Sequence, residues 1–188
     1  MCINIDKIVL VKHYANTSKG IVCLPNVEIK KVSYSNVEDA KRFCNDNQIK
    51  CFKEFIDKGH KGYFAYVNNL CVGRVWFFTN SDRTYLSDFV LYRLKKNELF
   101  AAWVEIDENY RGQGVYLALS TYALNDNKQH DVIGAIKHDN KASIAANIKS
   151  GYHIYIKYLL IKINKIKISI EYKYSGFFRL KIKFGDYV

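Results

Sequence analysis

In this 188-residue chain, the run Arg111-Gly112-Gln113-Gly114-Val115-Tyr116 has residue types and spacing suited to chemistry. Two glycines one residue apart, between a strand-like and a helix-like segment, let the backbone approach an anion closely. The free N–H groups at the helix start then face that anion with the positive end of the helix dipole. Arg111 adds charge beside them. A phosphate or pyrophosphate is the natural ligand of such a turn. Two nucleotide-binding readings are excluded: a P-loop ends in Gly-Lys-Ser/Thr, which is absent here. A dinucleotide fingerprint needs a third small residue three positions after the second glycine, where Leu117 stands.

The elements that must position this turn can be read around it. Glu98 to Ile106 is strand-like, a helix is predicted from Val115 to Leu124, and Val132 to Ile136 is a short buried strand. Asp139-Asn140 caps a further helix through Ile148, which Gly151 stops. Strand, helix, strand, helix in quick succession implies a parallel pair with helical crossovers. Upstream, Val27 to Ser33 reads as a strand, Ser35-Asn36 caps a helical stretch over 37–43, and Ile49, Phe52, Phe55 and Ile56 have helical spacing up to Gly59. Gly62 to Val67 and Leu70 to Phe78 form a hairpin about Asn68-Asn69. Tyr85 to Leu94 is expected as one more strand. After Tyr152 the chain alternates, with Ile154, Ile156, Ile166, Ile168 and Ile170 on one side and Lys165 and Lys167 between; antiparallel strands with lysines on the solvent face are expected.

A second pair of motifs follows the loop: Asn140-Lys141-Ala142-Ser143, then Lys149-Ser150-Gly151-Tyr152. Taken together with Arg111, Gly114 and Tyr116, the order and spacing over about residues 97 to 160 resemble the GNAT acetyltransferase superfamily. Its members carry R/Q-x-x-G-x-G/A, N-x-x-S/A and K-x-G-F/Y in that order. The resemblance implies an α+β GNAT fold, a mixed, strongly bent sheet with helices on both faces. It also implies transfer of an acetyl group from acetyl-CoA to a primary amine by direct attack, with a small amine or amino sugar as first acceptor. In that reading the backbone of Ile106 pairs with the pantetheine arm and polarises the thioester carbonyl. The N–H groups of Gly112, Gln113, Gly114, Val115 and Tyr116 cradle the pyrophosphate beside Arg111. Asn140 holds the far side of the cosubstrate, with Ser143 one helical turn on.

The chain departs from the family pattern twice. Tyr116 replaces the small last residue of the loop, so its ring is expected at the floor of the pocket. Asn147 stands where relatives often carry a tyrosine that protonates the CoA sulfur, and an amide can only hydrogen-bond there. Three outcomes stay open: weaker help to the leaving thiolate, another tyrosine in its place, or a catalytically weak acyl-CoA-binding module. For the base, Glu98 begins the strand before the loop, where some relatives place a carboxylate, and a water would relay the proton. Glu105 lies seven residues on, so simple alternation puts it on the opposite sheet face; a structural ion pair is its expected role.

Composition sets the outer limits. Apolar residues make up 49% and charged residues 25%, which excludes disorder, collagen and coiled coil. A chain this long can bury a real core. One GNAT domain over residues 1–188 is expected, with a strand/helix arm over 1–60, an acetyltransferase core over 61–160 and terminal strands over 161–188. The net charge is +11, so a polyanionic partner is considered. The lysines of the last strands alternate with isoleucine as ordinary sheet patterning, so nucleic acid is the lesser reading, and those strands offer a surface for a homodimer. Five cysteines without a C-x-x-C pair indicate neither zinc site nor disulfide framework. The apolar run Ile8 to Val11 is too short for a signal segment, and no stretch reaches the roughly 20 apolar residues of a membrane span. A soluble, cytoplasmic protein without a metal is the expectation.

Overall fold

The computed structural model describes residues 3–17, 20–79, 84–87, 90–173, 176 and 178–184. Its elements in chain order are β1 (Ile3–His13), β2 (Val27–Lys31), α1 (Asp46–Asp57), β3 (Lys61–Val67), β4 (Leu70–Phe78), β5 (Thr84–Ser87), β6 (Val90–Tyr92) and β7 (Glu98–Ile106). There follow α2 (Val115–Asp126), β8 (Asp131–Lys137), α3 (Lys141–Lys149), β9 (His153–Ile163), β10 (Ile166–Lys173) and β11 (Phe178–Phe184). Short 3-10 helices occupy Val37–Arg42 and Glu108–Tyr110.

Local chemistry explains most boundaries. Asn45 caps α1 reciprocally with Gln48, each side chain taking the other's backbone N–H. Asn68 and Asn69 both adopt positive φ, the condition for the two-residue hairpin between β3 and β4. Asn140 caps α3 by accepting from the Ser143 N–H at 3.0 Å. The Asn36 side chain does not cap its turn; its Oδ1 instead accepts from the Ser33 N–H at 2.8 Å. The strand expected over Tyr85 to Leu94 is two short strands, β5 and β6, paired with each other.

Nine strands form one sheet in the order β11-β10-β9-β1-β8-β7-β4-β3-β2. Its pairs are antiparallel except β7 with β8, which run parallel as the helical crossover requires. The first strand is the unexpected member. Ile8 to Val11 reads in sequence as a short apolar run, yet β1 lies in the middle of the sheet between β8 and β9. A strand covered on both faces needs apolar residues at successive positions, so it lacks the alternation that marks a half-exposed strand. Helices lie on both faces. Helix α1 covers one face through Phe52 against Phe64, Tyr66 and Trp76. Helix α2 covers the other through Val115 and Leu119 with Tyr63, Val75 and Phe77. A third cluster, with Leu10, Phe100, Ile133 and Leu160, continues the α1 face beyond that helix.

Candidate functional site

The parallel pairing of β7 and β8 holds only from Glu98/Asp131 to Ala101/Gly134, after which the two strands part. A cavity of about 610 Å³ opens at the parting. Phe100, Ala102 and Ala135 line it from one sheet face, and Val75, Tyr116, Ile136 and Tyr152 from the other. The opening therefore passes through the sheet. A neighbouring cavity of about 650 Å³ runs from it along the glycine loop, lined by Arg111, Gly112, Gly114, Val115 and Lys149. The two share Val104, Tyr116, Asn140 and Ser143, so they form one continuous cleft.

A β-bulge shapes the edge of the cleft. Trp76 stands opposite Ala102 and Arg74 opposite Glu105, so two steps along β4 match three along β7. The extra residue is Trp103, a bulky side chain at φ +52. Such a conformation persists only when its surroundings enforce it. Arg74, itself buried, supplies much of that: it donates to the Trp103 carbonyl at 3.2 Å, pairs with Glu105, and lies over the Trp103 and Phe52 rings. The bulge also shifts the alternation by one. Glu105 thereby shares a sheet face with Glu98, against the opposite faces that plain alternation predicts, and it makes the expected ion pair.

Gly112 and Gly114 adopt φ of +75 and +82, a region that L side chains enter at a cost. Gly114 is the N-cap residue of α2, and no side chain caps that helix. Its first N–H groups are thus presented toward the loop cavity.

No protein-family model matches this chain, and no curated protein sequence does. Solved structures do match in fold. A functionally unknown conserved protein from Staphylococcus epidermidis ATCC 12228 is 19% identical over 85% of this chain and 62% of its own, with a TM-score of 0.59. A GNAT-family acetyltransferase from Colwellia psychrerythraea is 10% identical over 92% of this chain and 58% of its own, also at 0.59. AAC(6')-Iy, solved with the bisubstrate analogue CoA-S-monomethyl-acetylneamine, is 14% identical over 68% of this chain and 90% of its own, at 0.52. The chain has the GNAT fold. It spans 52 to 63% of the length of the first five of the matched structures.

Within the GNAT fold of this chain, the sequence-derived residues fall as follows. Arg111, Gly112, Gly114, Val115, Tyr116, Ile106, Asn140, Ser143 and Asn147 all line the cleft. The Ile106 carbonyl is already engaged, accepting from Arg111 Nε at 2.9 Å, so Arg111 fixes the entry to the loop. The Gln113 side chain turns away, donating to the Asn109 carbonyl at 2.8 Å. Glu98 lies outside the cleft and is 2% exposed. Its oxygens accept from Lys12 Nζ at 3.0 Å, the Tyr92 hydroxyl at 3.1 Å and the Lys95 N–H at 3.0 Å. Lys12 also pairs with Asp131 at 2.7 Å. Alternation along β7 could not reveal this buried network, because its other half is contributed by β1.

Asn147 does not stand alone. Its Nδ2 donates to the Ser143 carbonyl at 2.9 Å, which leaves Oδ1 to accept from the Tyr116 hydroxyl, also at 2.9 Å. Burial raises the Tyr116 phenol to about 12 despite the opposing hydrogen bonds of Ser120 and Asn147, so it stays protonated near neutrality. The phenol that the motif lacks on α3 is thus present on α2, in the same cleft. Its only sequence signal was the misfit of a large residue at the end of the glycine loop. Sequence reasoning also missed Asp6. On the β1 side of the sheet, Asn4, Asp6, Ile8 and Leu86 line a groove of about 390 Å³ that shares Ala135 to Lys137 with the cleft.

Among the described residues no three His, Cys, Asp or Glu side chains gather as a metal site, and no helix is long and apolar enough to cross a membrane.

Proposed function

We propose that the chain is an acyl-CoA-dependent N-acyltransferase acting on a primary amine. The observation that carries this reading is a cleft that passes through the sheet at the β7/β8 parting and continues to an uncapped helix N-terminus bearing two positive-φ glycines. The CoA thioester supplies an activated acetyl group, and the chain's residues do the rest. The N–H groups from Gly112 to Tyr116 bind the pyrophosphate, Asn140 and Ser143 flank it, and the bulged edge of β7 seats the pantetheine arm. The amine approaches from the β1 side, where Asp6 takes up its ammonium proton. As the C–N bond forms and the C–S bond breaks, the Tyr116 hydroxyl turns from the Asn147 carbonyl and gives its proton to the departing sulfur, and the second proton shed by the amide nitrogen restores the phenol. Before that step Asn147 Oδ1 holds the hydroxyl in the cleft by accepting its hydrogen bond. The solved complex of AAC(6')-Iy with an aminoglycoside-derived CoA analogue makes an amino sugar or another small amine the first acceptor to screen.

Calorimetric titration with acetyl-CoA and with CoA tests the cosubstrate. Saturable binding is expected in the wild type, and its loss in Gly114→Asp, which sets a carboxylate against the pyrophosphate. The added Cβ meets only the flexible end of Leu24, at 3.2 Å, so the variant is checked for folding by circular dichroism. Absence of binding to either ligand in the wild type rejects the reading. Tyr116→Phe should keep CoA affinity and lose about a hundredfold in kcat, the lower range for a missing proton donor. Undiminished turnover would remove Tyr116 from the reaction. If the wild type binds acetyl-CoA but turns over no amine, the acyl-CoA-binding module that Asn147 first suggested is favoured.

A further inference from the structure

Beyond the cleft, the far half of the sheet has its burial reversed. Lys167, Ser169 and Glu171 of β10 are each less than 10% exposed. On the opposite face Ile3, Ile5, Tyr172, Phe178, Leu180 and Ile182 are each 45 to 60% exposed. The register lines these residues up. Ile5, Ile161, Ile168 and Ile182 form one row across four strands, and Lys7, Leu159, Ile170 and Leu180 form the next. Soluble monomers rarely leave contiguous apolar surface of this extent open, and such a face marks an interaction site.

We infer that a second copy of this chain covers the face, stacked sheet on sheet about a twofold axis. Area supports this occupant. Six large apolar side chains, each about half exposed, give about 500 Å² per copy, or about 1,000 Å² in all, before the half-buried isoleucines are added, which reaches the lower bound of a specific interface. Charge supports it too. Arg179 and Lys181 alternate to the reverse face of the sheet, so two apolar faces meet without bringing those cations together, despite the net charge of +11. The lysines on the apolar side stand within its last two rows, Lys7 in the row of Leu159 and Leu180, and Lys157 in the row of Tyr172 and Phe178. A twofold axis in the interface plane and perpendicular to the strands sets these rows of the two copies at opposite ends of the stack. A lipid surface fits less well, because the basic side chains of β11 would point away from the headgroups.

The alternative way for two copies to meet is edge to edge, with β11 pairing to β11 and extending the sheet. Ile5 separates the two arrangements. It lies three strands in from the edge, about 14 Å away at the usual strand spacing.

Sedimentation equilibrium and light scattering of the full chain at high micromolar concentration test the inference. The wild type should have the mass of two chains. Leu180→Lys and Ile5→Lys should each be monomeric, whereas Lys181→Glu, on the reverse face, should stay dimeric. The milder Ile5→Ser and Leu180→Ser should raise the dimer dissociation constant at least tenfold, and far-ultraviolet circular dichroism checks that each variant is folded. A monomeric wild type overturns the inference, whether or not it binds vesicles of anionic lipid. A dimer lost in Leu180→Lys but kept in Ile5→Lys overturns stacking in favour of edge pairing. Neither result bears on CoA binding, so this inference and the proposed activity fail separately.

Discussion

On the β2–β4 side of the parting between β7 and β8, each sheet face has a helix over it. There, side chains such as Tyr63 and Phe64 point to opposite faces and are both fully buried. On the β9–β11 side the same alternation leaves Ile182 half exposed while Ser169 of the neighbouring strand is buried. Alternation in sequence separates two faces, but it does not say which face the rest of the molecule will cover. β1 and β8 join the two halves, and their seam holds the buried ion network of Lys12, Glu98 and Asp131. The cleft opens on the other side of β8, where it parts from β7.

The strongest way to break the comparison is at the seam. Lys12→Met leaves Glu98 buried without its cation and should destabilise the protein by about 4 kcal/mol in chemical denaturation. Adding Glu98→Gln should restore part of that loss; an additive double variant would show that the pair is not coupled. The two halves are contrasted next. Phe52→Ala, which removes a fully buried ring packed on Trp76 at a centroid distance of 5.4 Å, should cost about 3 kcal/mol. Leu180→Ala, measured in dilute solution where copies are apart, should lie within about 0.5 kcal/mol of the wild type. Equal losses would mean that the far half is covered within one chain.

The smallest effect concerns acid. Burial alone would raise the Asp131 carboxyl, but Lys12 and the Ala15 N–H outweigh it and hold the group below its ordinary value of 3.8. A depressed carboxyl contributes stability that is present above the unfolded-state value and lost as pH falls through the lower folded-state value. Wild type should therefore lose stability below about pH 4 more steeply than Asp131→Asn. Parallel acid limbs would place the sensitivity elsewhere.

Much of the molecule was legible in the chain. The β3/β4 hairpin, α1, the strand–loop–helix of β7 and α2, the buried β8 and the Asn140-capped α3 each carry local signals in turn chemistry, caps and periodicity. What escaped has no local signal. β1 is central because it pairs with strands 119 to 160 residues away, and the bulge at Trp103 exists only in the mismatch between β7 and β4. Glu98 read as a strand-end carboxylate because its partner Lys12 is 86 residues distant.

The sequence by itself determined the elements around the loop, the glycines that φ demands at 112 and 114, and the order of the motifs, since these depend on neighbours within a few residues. Only the tertiary structure decided that Tyr116 meets Asn147, that Glu98 is sealed in an ion pair, that Asp6 faces a groove beside the cleft, and which face of β9–β11 is left bare. Each of these turns on which side chains converge across strands and helices, and convergence is a property of the packed sheet rather than of any one segment.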